Sequence, residues 1–171
     1  MMPRRILIFL HGTLIMHAAG LGAPREERDR QVLSRHPSVE DYANYVPVGG
    51  AADKTAAWVG QGAELHYLSS HETAEAVDLD LLVLRRFEFP PAPLHYRKPG
   101  ETYGQIAAAL LPAVIIEDDC ESIGGAAQMV ISALTAGQRR SAGSLVVEEF
   151  GGIDHLPSDL EALFRQAGVT P

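Results

Sequence analysis

A few short stretches hold the side chains with which this 171-residue chain could do chemistry. His11 stands just before Gly12 and Thr13, at the end of the apolar run "RILIFL". Imidazole titrates near neutral pH, so a histidine there can act as general acid or base, join a metal site with nearby acids, or attack as a nucleophile. It can equally be a hydrogen-bonded filler. Ser69, Ser70 and His71 follow a second run, "ELHYL". A hydroxyl in that position bonds an anion together with backbone N–H groups at a helix start, or simply caps the helix. Arg97 and Lys98 precede Pro-Gly and offer a planar fork and a point charge for phosphate or carboxylate; the alternative is an exposed basic pair before a turn. Glu117, Asp118 and Asp119 end a third run, "AVIIE". Adjacent acids there suit a hard cation such as Mg²⁺, which takes oxygen ligands, or are solvated charges. Successive strand side chains point to opposite faces, so Asp118 and Asp119 face one ligand together only if the strand has already ended. His17, His71, Asp154 and His155 are lesser candidates, the last two within "EEFGGIDHLP". Cys120 lies beside acids that disfavour its thiolate.

Elements of definite kinds must position these groups. Apolar runs at residues 5–10, 63–68, 113–117 and 144–148, with a short one near 94–96, read as strands. They need not alternate if both faces are buried, as in a parallel sheet. Between them, Ala52, Thr55, Ala56 and Val59 fall on one helical face, as do Tyr103, Ile106, Ala107 and Leu110. Ser158 and Glu161 fit a capping box opening a last helix that docks through Leu160, Leu163 and Phe164. Alternating strands and helices predict an α/β three-layer sandwich with a Rossmann-like, mostly parallel sheet of about five strands. Ligands then bind beyond the carboxyl ends of the strands, which selects the groups named above. Residues 17–47 are charged and helical with no clear strand, and read as a small lid-like insertion over that rim in one domain spanning residues 1–171.

Composition narrows the function. A formal net charge of -8 argues against nucleic acid, which is bound through clustered Lys and Arg, and favours small molecules or protein as partners; a small anionic molecule is what the Arg97–Lys98 pair would suit. The single cysteine leaves no internal disulfide or cysteine zinc cluster, in keeping with a reducing cytoplasm. The start "MMPRRILIFL" imitates a leader but breaks at His11-Gly12, so a buried strand is the better reading. No run of eighteen apolar residues occurs, so no membrane span is expected. No nucleotide or haem cofactor is implied. Self-association into a homo-oligomer stays open.

The ordered stretches "ILIFLHGTLI", "LHYLSS" and "HYRKPGETYGQIAAALLPAVIIEDD" resemble the motif set of the haloacid dehalogenase (HAD) superfamily, from about residue 5 to residue 125. The resemblance implies a Rossmann-like sheet, Mg²⁺ and phosphoryl transfer through an aspartyl intermediate. It places Gly12 and Thr13 at the end of the first motif, Ser69 at the second, Lys98 at the third and Asp118 or Asp119 at the fourth. Phe9 and His11 stand where that family has its nucleophile and general acid, and Ser122 where a second acid is often found. Phenylalanine can neither attack phosphorus nor hold a metal, so the ordinary aspartyl-phosphate reaction is not expected. Two readings follow: an atypical metal-assisted hydrolase using His11, or a non-catalytic descendant that binds a ligand or assembles.

Overall fold

A computed structural model describes residues 4–169; Met1–Pro3 of the leader-like start lie outside it. The strands are β1 (Arg5–Phe9), β2 (Ile15–Met16), β3 (Val46–Pro47), β4 (Glu64–Leu68), β5 (Leu94–His95), β6 (Val114–Asp118) and β7 (Gly143–Val147). Five form one sheet in the order β5-β4-β1-β6-β7, and every pairing in it is parallel. The most apolar run is thus the central strand, with partners on both edges that leave its backbone groups no exposure to water.

The helices are α1 (Arg25–Leu33), α2 (Pro37–Glu40), α3 (Ala51–Gly60), α4 (Ala74–Arg86), α5 (Tyr103–Leu110), α6 (Ala136–Ser141) and α7 (Leu160–Gln166). Alternate residues of β1 feed two separate cores. Ile6 and Ile8 pack with Trp58 of α3, Val83 of α4 and Leu163 of α7, whereas Leu7 and Phe9 pack with Ile106 of α5 and with Val130 and Leu134. The sheet is therefore the middle of three layers, and truncating a fully buried residue such as Leu7 or Ile8 to Ala costs about 2–5 kcal/mol.

Local signals fix the helix ends. α4 opens on Thr73, whose hydroxyl accepts from the Ala76 N–H, and carries Arg85 and Arg86 in its last turn, where cations complement the helix dipole. α5 has a complete Thr102–Gln105 capping box. Two sequence expectations change. The last helix is capped by Asp159, which accepts from the Ala162 N–H at 2.7 Å, and not by Ser158. On α3 the buried face is Ala51, Thr55 and Trp58, and Val59 is exposed, because the indole occupies the space that the smaller stripe would have filled.

Residues 17–47 hold α1, α2 and two 3-10 turns. They also hold a strand that the sequence reading lacked: β3 pairs antiparallel with β2, and this ribbon ties the ends of the insertion together beside the rim. Among the described residues, no helix is long and apolar enough to cross a membrane.

Candidate functional site

The carboxyl ends of the sheet strands and the loops that follow enclose a cavity of about 380 Å³, walled by Phe9, His11 and Gly12 from the end of β1 and its loop, Ser70 and His71 after β4, Asp118 and Cys120 from the end of β6 and its loop, and Glu149 and Phe150 after β7. Arg97 and Tyr103 close one side, and His17, Tyr42 and Tyr45 from the insertion cover another. This is where a parallel α/β sheet offers a ligand its converging loops.

Asp118 is the inward acid. It is buried, accepts from the Thr13 hydroxyl at 2.8 Å and from the Cys120 N–H at 3.1 Å, while its own N–H donates to the Thr13 oxygen. Thr13 thus positions the carboxylate and does not itself line the cavity. Gly12 makes the approach possible: its φ is +82°, and a Cβ there would stand 3.1 Å from the Asp118 carboxylate. Asp119 does not line the cavity and pairs with Arg25 of the insertion at 3.2 Å. Glu117, on the opposite face of β6, accepts from the N–H groups of Val130 and Ile131 at 2.5 and 2.9 Å. It latches the 3-10 turns to the sheet, and burial pushes its carboxyl up to about 7.

The second inward acid, Glu149, comes from the loop after β7, where the sequence points instead to Asp154 and His155. Its oxygens bind the N–H and hydroxyl of Ser122 at 2.8 and 2.6 Å. The position where the family motif would often carry an acid therefore holds that acid's donor. Asp118, Asp119 and Glu149 bring carboxylate oxygens within 4.8 Å of one another. Burial raises the carboxyls of Asp118 and Glu149 above their ordinary range, against the pull of their hydrogen bonds, and the charge of Asp118 adds to the rise at Glu149. Buried, mutually repelling oxygen donors are what a hard divalent cation relieves, so this set fits Mg²⁺, with Asp118 and Glu149 as its holders. Cys120 is buried and its thiol is pushed far up by desolvation and then by Asp118 and Glu117, which leaves it unreactive.

Across the cavity, both nitrogens of His11 are engaged: Nδ1 lies 2.6 Å from Ser70 Oγ and Nε2 2.8 Å from Asp80 Oδ1. The imidazole therefore does not join Asp118 and Asp119 as a metal ligand. Asp80, on α4, was missed from sequence because an acid on a helix that also carries the exposed Asp78 reads as solvated. It is 1% exposed. Ser69 donates to its other oxygen at 2.6 Å and His71 Nδ1 lies 3.1 Å from it, so Ser69 supports Asp80 and turns away from the cavity.

The remaining candidates divide. Arg97 faces the cavity, pairs with Glu72 at 2.8 Å and stacks 4.3 Å over the Tyr103 ring. Lys98 is exposed and lines a different groove, beside His95 and Glu101. His17 is buried, with Nε2 2.7 Å from Gln31 Oε1, and desolvation lowers its pKa. Asp154 accepts from the Gly50 N–H at 2.9 Å, holding the start of α3, and His155 is exposed beside it; neither lines the cavity. Phe9 fills its position by packing edge-on against Tyr103, with ring centres 5.7 Å apart.

No protein-family model matches the chain, and no curated protein matches it in sequence. Among solved structures, it is similar to the class C acid phosphatase from Bacillus anthracis with tungstate bound, at 14% identity and a TM-score of 0.56 over 98% of this chain and 79% of that one. A second structure of the class C acid phosphatase from Bacillus anthracis aligns with a TM-score of 0.56 at 11% identity, covering 100% of this chain and 81% of the other. At such identities the likeness establishes the fold alone: this chain is a three-layer α/β sandwich with a five-stranded parallel sheet, a fold it shares with those phosphatase structures.

Proposed function

We propose that the cavity binds a small phosphorylated anion and serves as an atypical metal-assisted hydrolase site, with His11 in the acid–base role. The observation that carries this reading is the convergence of Asp118, Glu149, Arg97 and His11 on one cavity at the carboxyl end of the sheet. Asp118 and Glu149 would hold Mg²⁺, which supplies positive charge to bind and orient an anion. Arg97 supplies a planar fork already oriented by Tyr103 and Glu72. Gly12 lets the main chain come close to the ligand, Ser70 offers a hydroxyl, and residues 17–47 act as a lid that limits water.

Phe9 removes the aspartyl route, since its ring carries no nucleophile. His11 retains a mobile proton, and proton transfer by a positioned imidazole contributes about 10²–10⁴-fold to a rate.

Calorimetric titration with Mg²⁺ and then inorganic phosphate, followed by a screen of generic phosphate esters, tests the reading. Binding of both, weakened at least tenfold in Asp118→Asn, with ester turnover lost in His11→Ala, is the expected result. Absence of metal and phosphate binding at millimolar concentration would sink it. Binding without turnover would make the chain a ligand-binding protein.

A further inference from the structure

The hydrogen-bonded chain that starts at Ser70 carries more than an acid–base histidine. Ser70 follows β4, is partly exposed and faces the cavity. Its Oγ lies 2.6 Å from Nδ1 of His11, whose Nε2 lies 2.8 Å from Oδ1 of Asp80. Three elements meet here: the end of the central strand, the end of its neighbour and the buried side of α4.

The direction of each bond follows from the charge of Asp80. Burial alone would raise this carboxyl, but the bonds from His11, His71 and Ser69 outweigh it and hold the group well below the usual range. An ionised carboxylate only accepts. The hydrogen between Asp80 and His11 therefore sits on Nε2, and a neutral ring with Nε2–H has a bare lone pair on Nδ1. In the neutral ring the contact with Ser70 is then O–H···N, with the hydroxyl donating to Nδ1. Ser69 and His71 saturate the second oxygen of Asp80, and Ser69 Oγ in turn accepts the His71 N–H at 3.0 Å, so the carboxylate is fixed from both sides.

We propose that Ser70 is the nucleophile of this site, with His11 as its general base and Asp80 as the positioning residue that sets the tautomer of the ring, and that it acts on phosphate esters through a covalent phosphoserine. The roles are those of a serine–histidine–aspartate relay, which is recognised by geometry and not by position in sequence. Here the two ring nitrogens exchange the partners they usually have, which preserves the relay because each nitrogen keeps its role as donor or acceptor.

The step balances within the named groups. The Ser70 proton passes to His11 Nδ1 as Oγ bonds to phosphorus; the ester bond breaks and the leaving oxygen takes that proton. Water then gives a proton to His11 while bonding to phosphorus, the Oγ–P bond breaks, and Ser70 is restored with the proton from His11. An attacking group in the cavity that Phe9 also lines thus compensates for the absent aspartate. For its substrate the inference rests on the phosphate-ester reading above; for its nucleophile it stands on the relay alone.

A fluorophosphonate probe separates the two, since it reports an activated serine through loss of fluoride and needs neither Mg²⁺ nor a phosphate site. The full-length protein should be labelled at Ser70, located by peptide mass spectrometry. Labelling should vanish in Ser70→Ala, fall at least 100-fold in rate in His11→Gln, and fall at least tenfold in Asp80→Asn. Its rate should rise with pH along one ionisation that is missing in His11→Gln, which a purely structural hydrogen bond would not produce. Circular dichroism checks the fold of each variant; if Asp80→Asn does not fold, Ser70→Ala and His11→Gln decide. Absence of labelling in the folded wild type, or labelling unchanged in His11→Gln, overturns the inference, whatever calorimetry says of phosphate. Ester turnover that survives Ser70→Ala also overturns it and leaves the acid–base reading of His11 standing.

Discussion

Asp80 illustrates how much one buried carboxylate can organise. It accepts from His11, Ser69 and His71, so its charge is shared among three donors and its pKa lies below the ordinary value of 3.8. A depressed carboxyl contributes stability that is fully present above its unfolded pKa and is lost as pH falls through its folded one. The acid limb of unfolding below pH 3.8 should therefore steepen because of this residue. Asp80→Asn places an amide N–H where one donor already points, and should cost about 1–3 kcal/mol at pH 7. Urea titrations at pH 7 and pH 3 should give a smaller difference between wild type and variant at the lower pH; a constant difference would mean that Asp80 is not held ionised.

At the scale of elements, β6 shows how two adjacent acids come to do different work. Asp118 faces the cavity and Glu117 the opposite core, where it holds the backbone of residues 130–131. Burial raises Glu117 from 4.5 to about 7. The folded chain then keeps a proton that the unfolded chain has released, so this residue's contribution to stability falls as pH rises from about 4.5 to about 7 and is constant beyond. Glu117→Gln, neutral throughout, should gain on wild type by about 1–3 kcal/mol across that window, as read from urea midpoints at pH 4.5, 6 and 7.5; parallel profiles would refute the shift. The N-cap of α7 lies one residue beyond the sequence expectation, because Ser158 and Asp159 are both good N-cap residues and only the docking of Leu160 and Leu163 selects between them.

Over the whole molecule, charge helps to fasten residues 17–47 to the rim, beside the packing of Tyr42 and Tyr45 on the main core. Arg25 reaches Asp119 at 3.2 Å and Glu148 at 2.9 Å, and also pairs with Glu121, while Arg28 donates to the Phe150 carbonyl. Such half-exposed pairs are worth about 0–1 kcal/mol each, so they bear on how firmly this segment is held more than on whether the sheet folds. Arg25→Ala should speed amide exchange across residues 25–33 at least tenfold while changing global stability by less than about 1 kcal/mol; equal protection in both proteins would show that packing, not charge, holds this segment in place. By itself the sequence determined the sheet and its strand ends, because burial on both faces imposes continuous apolar runs and places His11, Ser70 and Asp118 at one rim. Only the tertiary structure decided which acids face that rim. Asp80 and Glu149 look like solvated charges in sequence and are buried once α4 and the loop after β7 pack against the sheet. Lys98 looks like a ligand and is left in water. Periodicity records which face of an element is buried, whereas the loss of water around one carboxylate depends on residues scattered across the chain.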